Sequence, residues 1–235
     1  MKTLLSTTYF GPVQWYQKLY RSEEVVIEQW ENFQKQTYRN RCLIATTQGI
    51  LALTVPVERN SQLSTLNSQL IKNVRISDHG NWRHLHWNAI ISAYGESPFF
   101  EYYQDDIRPF FEKKWEFLLD FNEAIREKMC ELLDIQPKVN YSLEFKDYSL
   151  EFKVDSLEMN TQLAEKSTIN YKQSTINKEK EIDYREAINP KHPQPDPDFE
   201  AKPYYQVYQQ KHGFLPNLSV LDLLMNMGPE GIFYL

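Results

Sequence analysis

The sequence predicts an α+β fold: a single domain with a mixed or antiparallel sheet, packed helices and a low-complexity insertion. Three observations predict it. Val25-Val26-Ile27 is a β-branched run of strand length. Two more extended runs, 38–45 and 50–57, flank Thr46-Thr47-Gln48-Gly49 and read as a hairpin. Apolar residues then recur at helical spacing within 82–94, 106–133 and 217–227, so the strands precede most of the helices instead of alternating with them. At 235 residues, 41% hydrophobic and 14% aromatic, the chain is long and apolar enough for one sizeable core.

Taken in order, Thr8-Tyr9-Phe10 starts as a short strand and breaks at Gly11-Pro12. Gln14–Tyr20 follows as a short helix, then the strand at Val25–Ile27. In the hairpin Gly49 is free to adopt a positive φ, while Leu51, Leu53 and Val55 set the register. Pro56 lacks an amide donor and ends the second strand or holds it at an edge. Residues 58–73 are rich in serine and asparagine and read as a loop. Asp78 is placed to start a helix that runs to Tyr94 and stops at Gly95. Within it Trp82, His86 and Ile90 share one face. Ser97-Pro98 opens another helix, and Asp106–Leu133 reads as one long amphipathic helix.

Beyond it the pattern changes. YSLEFKD at 141–147 recurs as YSLEFKV at 148–154 and partly as DSLEM at 155–159, while STIN at 167–170 recurs at 174–177. An odd offset of seven puts each copy's Leu and Phe on the opposite face of a continuous strand, and the copies are too polar for a coiled coil. Residues 141–182 are therefore expected to be a repetitive insertion in a domain spanning 1–235, with one copy free to serve as a strand. Order is expected to resume at Ile188. Residues 191–203, rich in proline and acid, forbid helix; 204–209 is a plausible helix ending at Gly213. In the last helix Asn217 or Ser219 caps the start, Val220, Leu221, Leu223 and Leu224 pack, and Gly228-Pro229 stops it.

Composition excludes several functions. With 26 basic against 32 acidic residues the formal charge is -6, which opposes general nucleic-acid binding and leaves any positive site local. No apolar run has the roughly 18 residues of a membrane helix. MKTLLSTTYFGP is too weak an apolar patch for an export signal. Cys42 and Cys130, far apart and without a CxxC, are expected to be free thiols, and the protein to be cytoplasmic. Seven glycines form neither GxGxxG nor GxxxxGK, so no glycine-cradled phosphate is expected. No compact histidine-cysteine cluster predicts a metal, and no cofactor is identified.

The most patterned stretch is 31–57. Read as a strand, Lys35–Cys42 puts Lys35, Thr37, Arg39 and Arg41 on one face, a row suited to a small anionic ligand, or else a solvated edge that discourages strand pairing. His86 titrates nearest neutrality and, with Trp82 and Tyr94 as a dry wall, is the candidate for proton transfer; it reads equally well as a core histidine. Asp222, among the leucines of the last helix, either orients His86 or an arginine or simply faces solvent.

Four stretches together resemble the WbqC-like protein family of bacteria: TYFGPVQWY (8–16), ENFQKQTYRNRCLI (31–44) with LTVPV (53–57), NWRHLHWNAIISAYGESPFFEYY (81–103) and PYYQVYQQKHGFLPNLSVLDLLMNMGPE (203–230). They occur in order, and the 141–180 repeats have no part in the likeness. The resemblance implies an association with O-antigen and surface-polysaccharide gene clusters, and with decoration of an activated amino sugar by glycine or another acyl group. Carried over by position, it implies substrate-binding roles for Lys35, Gln36, Arg39, Asn40, Arg41, Trp82, Tyr94, Asn217 and Ser219, with His86 and Asp222 as catalytic residues. Where the family block often carries asparagine this chain has Cys42, which argues against a nucleophilic cysteine. The expectation is a transferase acting on a nucleotide-linked amino sugar. Its rival is a non-catalytic anion-binding or assembly protein of such a pathway. Donor, acceptor and oligomeric state are left open.

Overall fold

A computed structural model describes residues 2–58, 69–143 and 181–235. In chain order, β1 (Lys2–Ser6), α1 (Val13–Arg21) and β2 (Glu24–Glu28) lead into a hairpin of β3 (Arg41–Thr46) and β4 (Gly49–Thr54). Four helices follow: α2 (Trp82–Tyr94), α3 (Phe100–Ile107), α4 (Pro109–Glu112) and α5 (Leu118–Leu132). Among the described residues, strands β5 (Val139–Tyr141) and β6 (Glu181–Asp183) and helices α6 (Gln209–His212) and α7 (Val220–Met227) come next, and a 3-10 helix at Gly228–Tyr234 follows α7. The α+β class holds.

The sheets divide differently from the expectation. The main one has four strands in the order β5-β2-β1-β6, every pair parallel, and the hairpin forms a separate two-stranded sheet. Short continuous apolar runs suit strands covered on both faces. Leu4, Leu5, Val25, Val26 and Ile27 are all buried, with Leu4 beside Val26 and Leu5 beside Ile27. The hairpin alternates instead: Cys42 and Ile44 point inward, Leu53 and Val55 are buried, and Leu51 is exposed. Gly49 turns it with φ 105°.

Three element boundaries need correction. The first strand is Lys2–Ser6, and Thr8–Phe10 belongs to the turn that follows it. The long helix is broken, because residues 116–118 pair with 74–76 through Ile76 N to Glu116 O and Leu118 N to Val74 O, both 2.9 Å. Backbone pairing there overrides helical periodicity, and the apolar face resumes in α5 with Leu118, Phe121, Ile125 and Met129 buried. Only Gln209–His212 is helical near the expected 204–209 helix.

One end of the repeats is described. β5 carries Tyr141 and pairs with β2, whose Ile27 O accepts from Ser142 N. Structure is present before the expected Ile188, since Glu181–Asp183 forms β6 and pairs with β1. The later YSLEFK copy, DSLEM and both STIN copies lie outside the described residues.

Candidate functional site

All four strands of the main sheet run the same way, so Ser6, Glu28, Tyr141 and Asp183 end at one edge. From β1 the chain proceeds outward to β2 and β5, then returns to β6 on β1's other side. The order therefore reverses between β1 and β6, and in open parallel sheets such a switch point opens a crevice at the carboxyl ends of the strands. A narrow cleft lies there, with free space of about 10 Å³ between its walls. Ser6, Thr7 and Thr8 from the end of β1, Tyr184 and Arg185 from the end of β6, and Arg39 supply its polar lining. Leu5, Trp15, Tyr38 and Ile188 supply its apolar wall.

The charges are held in a fixed array. Arg39 grips Glu31 twice, Nε to Oε1 at 2.7 Å and Nη2 to Oε2 at 2.6 Å, and donates to Ser6 Oγ at 2.8 Å. Arg185 meets Asp183 in a fork, Nη2 to Oδ2 at 2.7 Å and Nε to Oδ1 at 3.0 Å, and its Nη1 lies 3.9 Å from Glu31 Oε2. Behind them Glu28 accepts from Ser142 Oγ at 2.6 Å and Trp30 N at 2.8 Å, and its other oxygen is buried without a hydrogen-bond partner. Thr7 Oγ1 and Tyr141 OH both donate to Glu123, which also receives Arg126 Nε at 2.7 Å. Thr8 Oγ1 is buried with no partner, leaving one hydroxyl uncommitted beside the two guanidiniums.

The turn from β1 into α1 frames this crevice. Phe10 sits at φ 41°, a conformation a bulky residue adopts only under constraint. Ser219 Oγ donates to Phe10 O at 2.8 Å and accepts from Leu221 N, so one hydroxyl clamps the turn and caps α7. Asn217 clamps it from the other side, accepting from Gln14 N at 2.9 Å and donating to Gln14 Oε1 at 3.0 Å. Because Val13 N is bound to Leu218 O, the first amides of α1 are occupied. Any anion must therefore be held by side chains rather than by the helix start.

Of the site residues expected from sequence, only Arg39 lines the crevice. The basic row does not form, since 35–40 is a turn with Gln36 at φ 62°, and the two-residue alternation of a strand is lost. Lys35 and Gln36 are exposed, with Gln36 meeting Lys191. Asn40 donates to Val55 O inside the hairpin, and Arg41 donates to Thr54 Oγ1. Trp82, His86 and Tyr94 share the inward face of α2 and are buried in the core. His86 Nδ1 lies 2.9 Å from Tyr9 OH, between the rings of Trp82 and Phe111, and burial lowers its pKa to about 4. Asp222 neither faces solvent nor touches His86: Tyr204 OH and Gln206 Nε2 each donate to its Oδ2 at 2.8 Å, and burial raises its pKa to about 6. Cys42 is fully buried, and burial pushes its thiol far up, as befits a packing residue.

The WbqC-like protein family matches residues 7–234. The chain belongs to this family. The uncharacterized protein Rv1507c of Mycobacterium tuberculosis is a similar relative, 26% identical over 217 residues, spanning 91% of this chain and 87% of its own. No solved structure matches the chain. The WbqC-like match begins at Thr7, so the crevice-lining residues from Thr7 onward fall within the family's extent.

Sequence reasoning missed Ser6, Thr7, Thr8, Tyr184 and Arg185. The short Leu4-Leu5 run followed at once by Ser6-Thr7-Thr8 was the available signal for a buried strand ending in hydroxyls. Nothing local marks Arg185 as β1's neighbour, because that depends on strand order. Among the described residues no group of three or more His, Cys, Asp or Glu could hold a metal ion, and no helix is long and apolar enough to cross a membrane.

Proposed function

We propose that this WbqC-like protein is a transferase that moves an acyl or glycyl group onto the amine of a nucleotide-linked amino sugar in surface-polysaccharide biosynthesis. The observation that carries the proposal is the crevice at the switch point, where Arg39 and Arg185 stand beside the unpartnered Thr8 hydroxyl. Guanidinium forks suit phosphate and carboxylate, and here Glu31 and Asp183 occupy them, so an incoming anion competes with these two carboxylates. The free space in the crevice is about 10 Å³, about one water's worth against the roughly 300–1,000 Å³ of a site for a whole small ligand, so the lining side chains must part to admit even one anionic end, such as the pyrophosphate. The sugar amine attacks the donor's carbonyl, the N–C bond forms, and the donor's leaving group departs with its electron pair and the amine proton. His86 has no opening to the crevice in this reading. It holds Tyr9 in the turn that frames the site.

One observation favours the second reading, a non-catalytic anion-binding protein of the same pathway. The crevice lining contains neither histidine nor cysteine, so it lacks the side chains that most often transfer protons or attack carbonyls.

A thermal-shift screen with nucleotide sugars, aminoacyl donors and acyl carriers, followed by turnover assays, separates the two. Stabilisation by nucleotide sugars that Arg185→Gln abolishes, together with acyl transfer, supports the transferase. The same stabilisation without turnover from any donor leaves the binding protein. If no anionic compound stabilises the chain, both readings fall.

A further inference from the structure

A second cleft, of about 440 Å³, opens on the far side of α2, between its first turn and α4. Three cations line it. Arg83 Nη1 binds Asp78 Oδ1 and Lys114 Nζ binds Asp78 Oδ2, both at 2.7 Å, so one carboxylate serves two cations; Arg108 is paired with Glu112 at 2.6 Å. Three positive groups face two negative ones, in a chain whose formal charge is -6. Arg83 lies over the Trp82 ring, 4.7 Å from its centroid, and its Nε and Nη2 are covered without an acceptor. Desolvated cationic donors left unpaired are costly, so an acceptor that draws the Arg83 guanidinium off the Trp82 ring gains bonds to them without displacing any. The first turn of α2 adds to the positive field: Asn81 gives no side-chain cap and no acidic residue follows it. Trp87 and Phe111 form an apolar wall in the same cleft.

We propose that this cleft is a second anion site, distinct from the crevice between β1 and β6, that takes a phosphate ester carrying a ring. Arg83, Arg108 and Lys114 hold the phosphoryl oxygens, and the Trp87–Phe111 wall packs the ring.

Calorimetric titration of the full chain with phenyl phosphate and with inorganic phosphate tests this. Phenyl phosphate binds about tenfold tighter than inorganic phosphate, through the ring contact. Arg108 and Lys114 are more than half exposed, so Arg108→Glu with Lys114→Glu keeps the fold and weakens both probes about tenfold or more. Arg83→Gln weakens them as well, and Lys138→Gln, at an exposed lysine outside both clefts, leaves them unchanged. Unchanged affinity after the charge reversals overturns the proposal. So does failure of both probes to bind at millimolar concentration, or an equal loss of binding in Lys138→Gln. Equal affinity for the two probes overturns the ring-bearing class.

Discussion

Arg39 and Glu31 face each other through two parallel hydrogen bonds of 2.7 and 2.6 Å, and both side chains are almost fully buried. A buried pair of this kind contributes little net stability, yet breaking it strands a charge. Arg39→Met is expected to cost about 3–5 kcal/mol in urea denaturation, and Arg39→Met with Glu31→Leu to cost clearly less. A double variant as unstable as the single one would show that Arg185, forked to Asp183 and 3.9 Å from Glu31, also depends on the Glu31 carboxylate.

Gly11 is fixed by what it touches. A Cβ there would collide with Thr8 Oγ1 and come within 3.0 Å of Thr8 Cβ. Gly11→Ala is expected to push the Thr8 hydroxyl out of the crevice and to cost about 1–3 kcal/mol as overpacking. Parallel melting and ligand titration check this: stability and anion affinity should fall together. A variant that melts lower yet binds as the parent does would remove Thr8 from the site.

The difference between what was legible and what was not follows the range of the forces involved. The hairpin, the inward face of α2 at Trp82, His86, Ile90 and Tyr94, and the Ser219 cap are set by neighbours within a few residues, and the sequence pattern shows them. The switch point depends on β6 pairing with β1 across some 180 residues, which no local period encodes. The basic row failed because Gln36 takes a left-handed conformation and cancels the alternation on which the row rested. Arg39 was found for its charge, but its partner Glu31 sits at a spacing that only the turn makes productive.

Ser219 does two things with one hydroxyl, accepting from Leu221 N at 3.3 Å and donating to Phe10 O at 2.8 Å. Losing the cap costs about 1 kcal/mol, and the buried Phe10 carbonyl also loses its side-chain donor. Ser219→Ala is expected to lower stability by about 2 kcal/mol and, by loosening the Phe10 turn, to weaken crevice ligands. Ser219→Thr keeps the hydroxyl and should recover most of both. A Thr variant no better than Ala would make the effect one of side-chain volume.

His86 and Asp222 give opposite pH dependences. Burial lowers His86 from 6.5 to about 4, so between those values the unfolded chain binds a proton that the folded chain does not. Stability therefore rises with pH across that window and is lost on acidification through it, on the order of 3 kcal/mol. Burial raises Asp222 from 3.8 to about 6, so in its window the folded chain keeps a proton that the unfolded chain has released. Stability there falls as pH rises, by a similar amount. Between about pH 4 and 6 the two nearly cancel in the parent. Relative to the parent, Asp222→Asn should gain on the order of 3 kcal/mol as pH rises through that range, and His86→Gln should lose about as much. Urea titrations at intervals from about pH 4 to 7 measure both differences. Tyr9 beside His86, and Tyr94 and Tyr204 beside Asp222, have pKa values held well above 10.0 by burial, so they stay protonated throughout and leave the comparison clean. Differences that stay constant with pH would mean that both groups are solvated in the folded chain, and the buried placement of each would then be wrong.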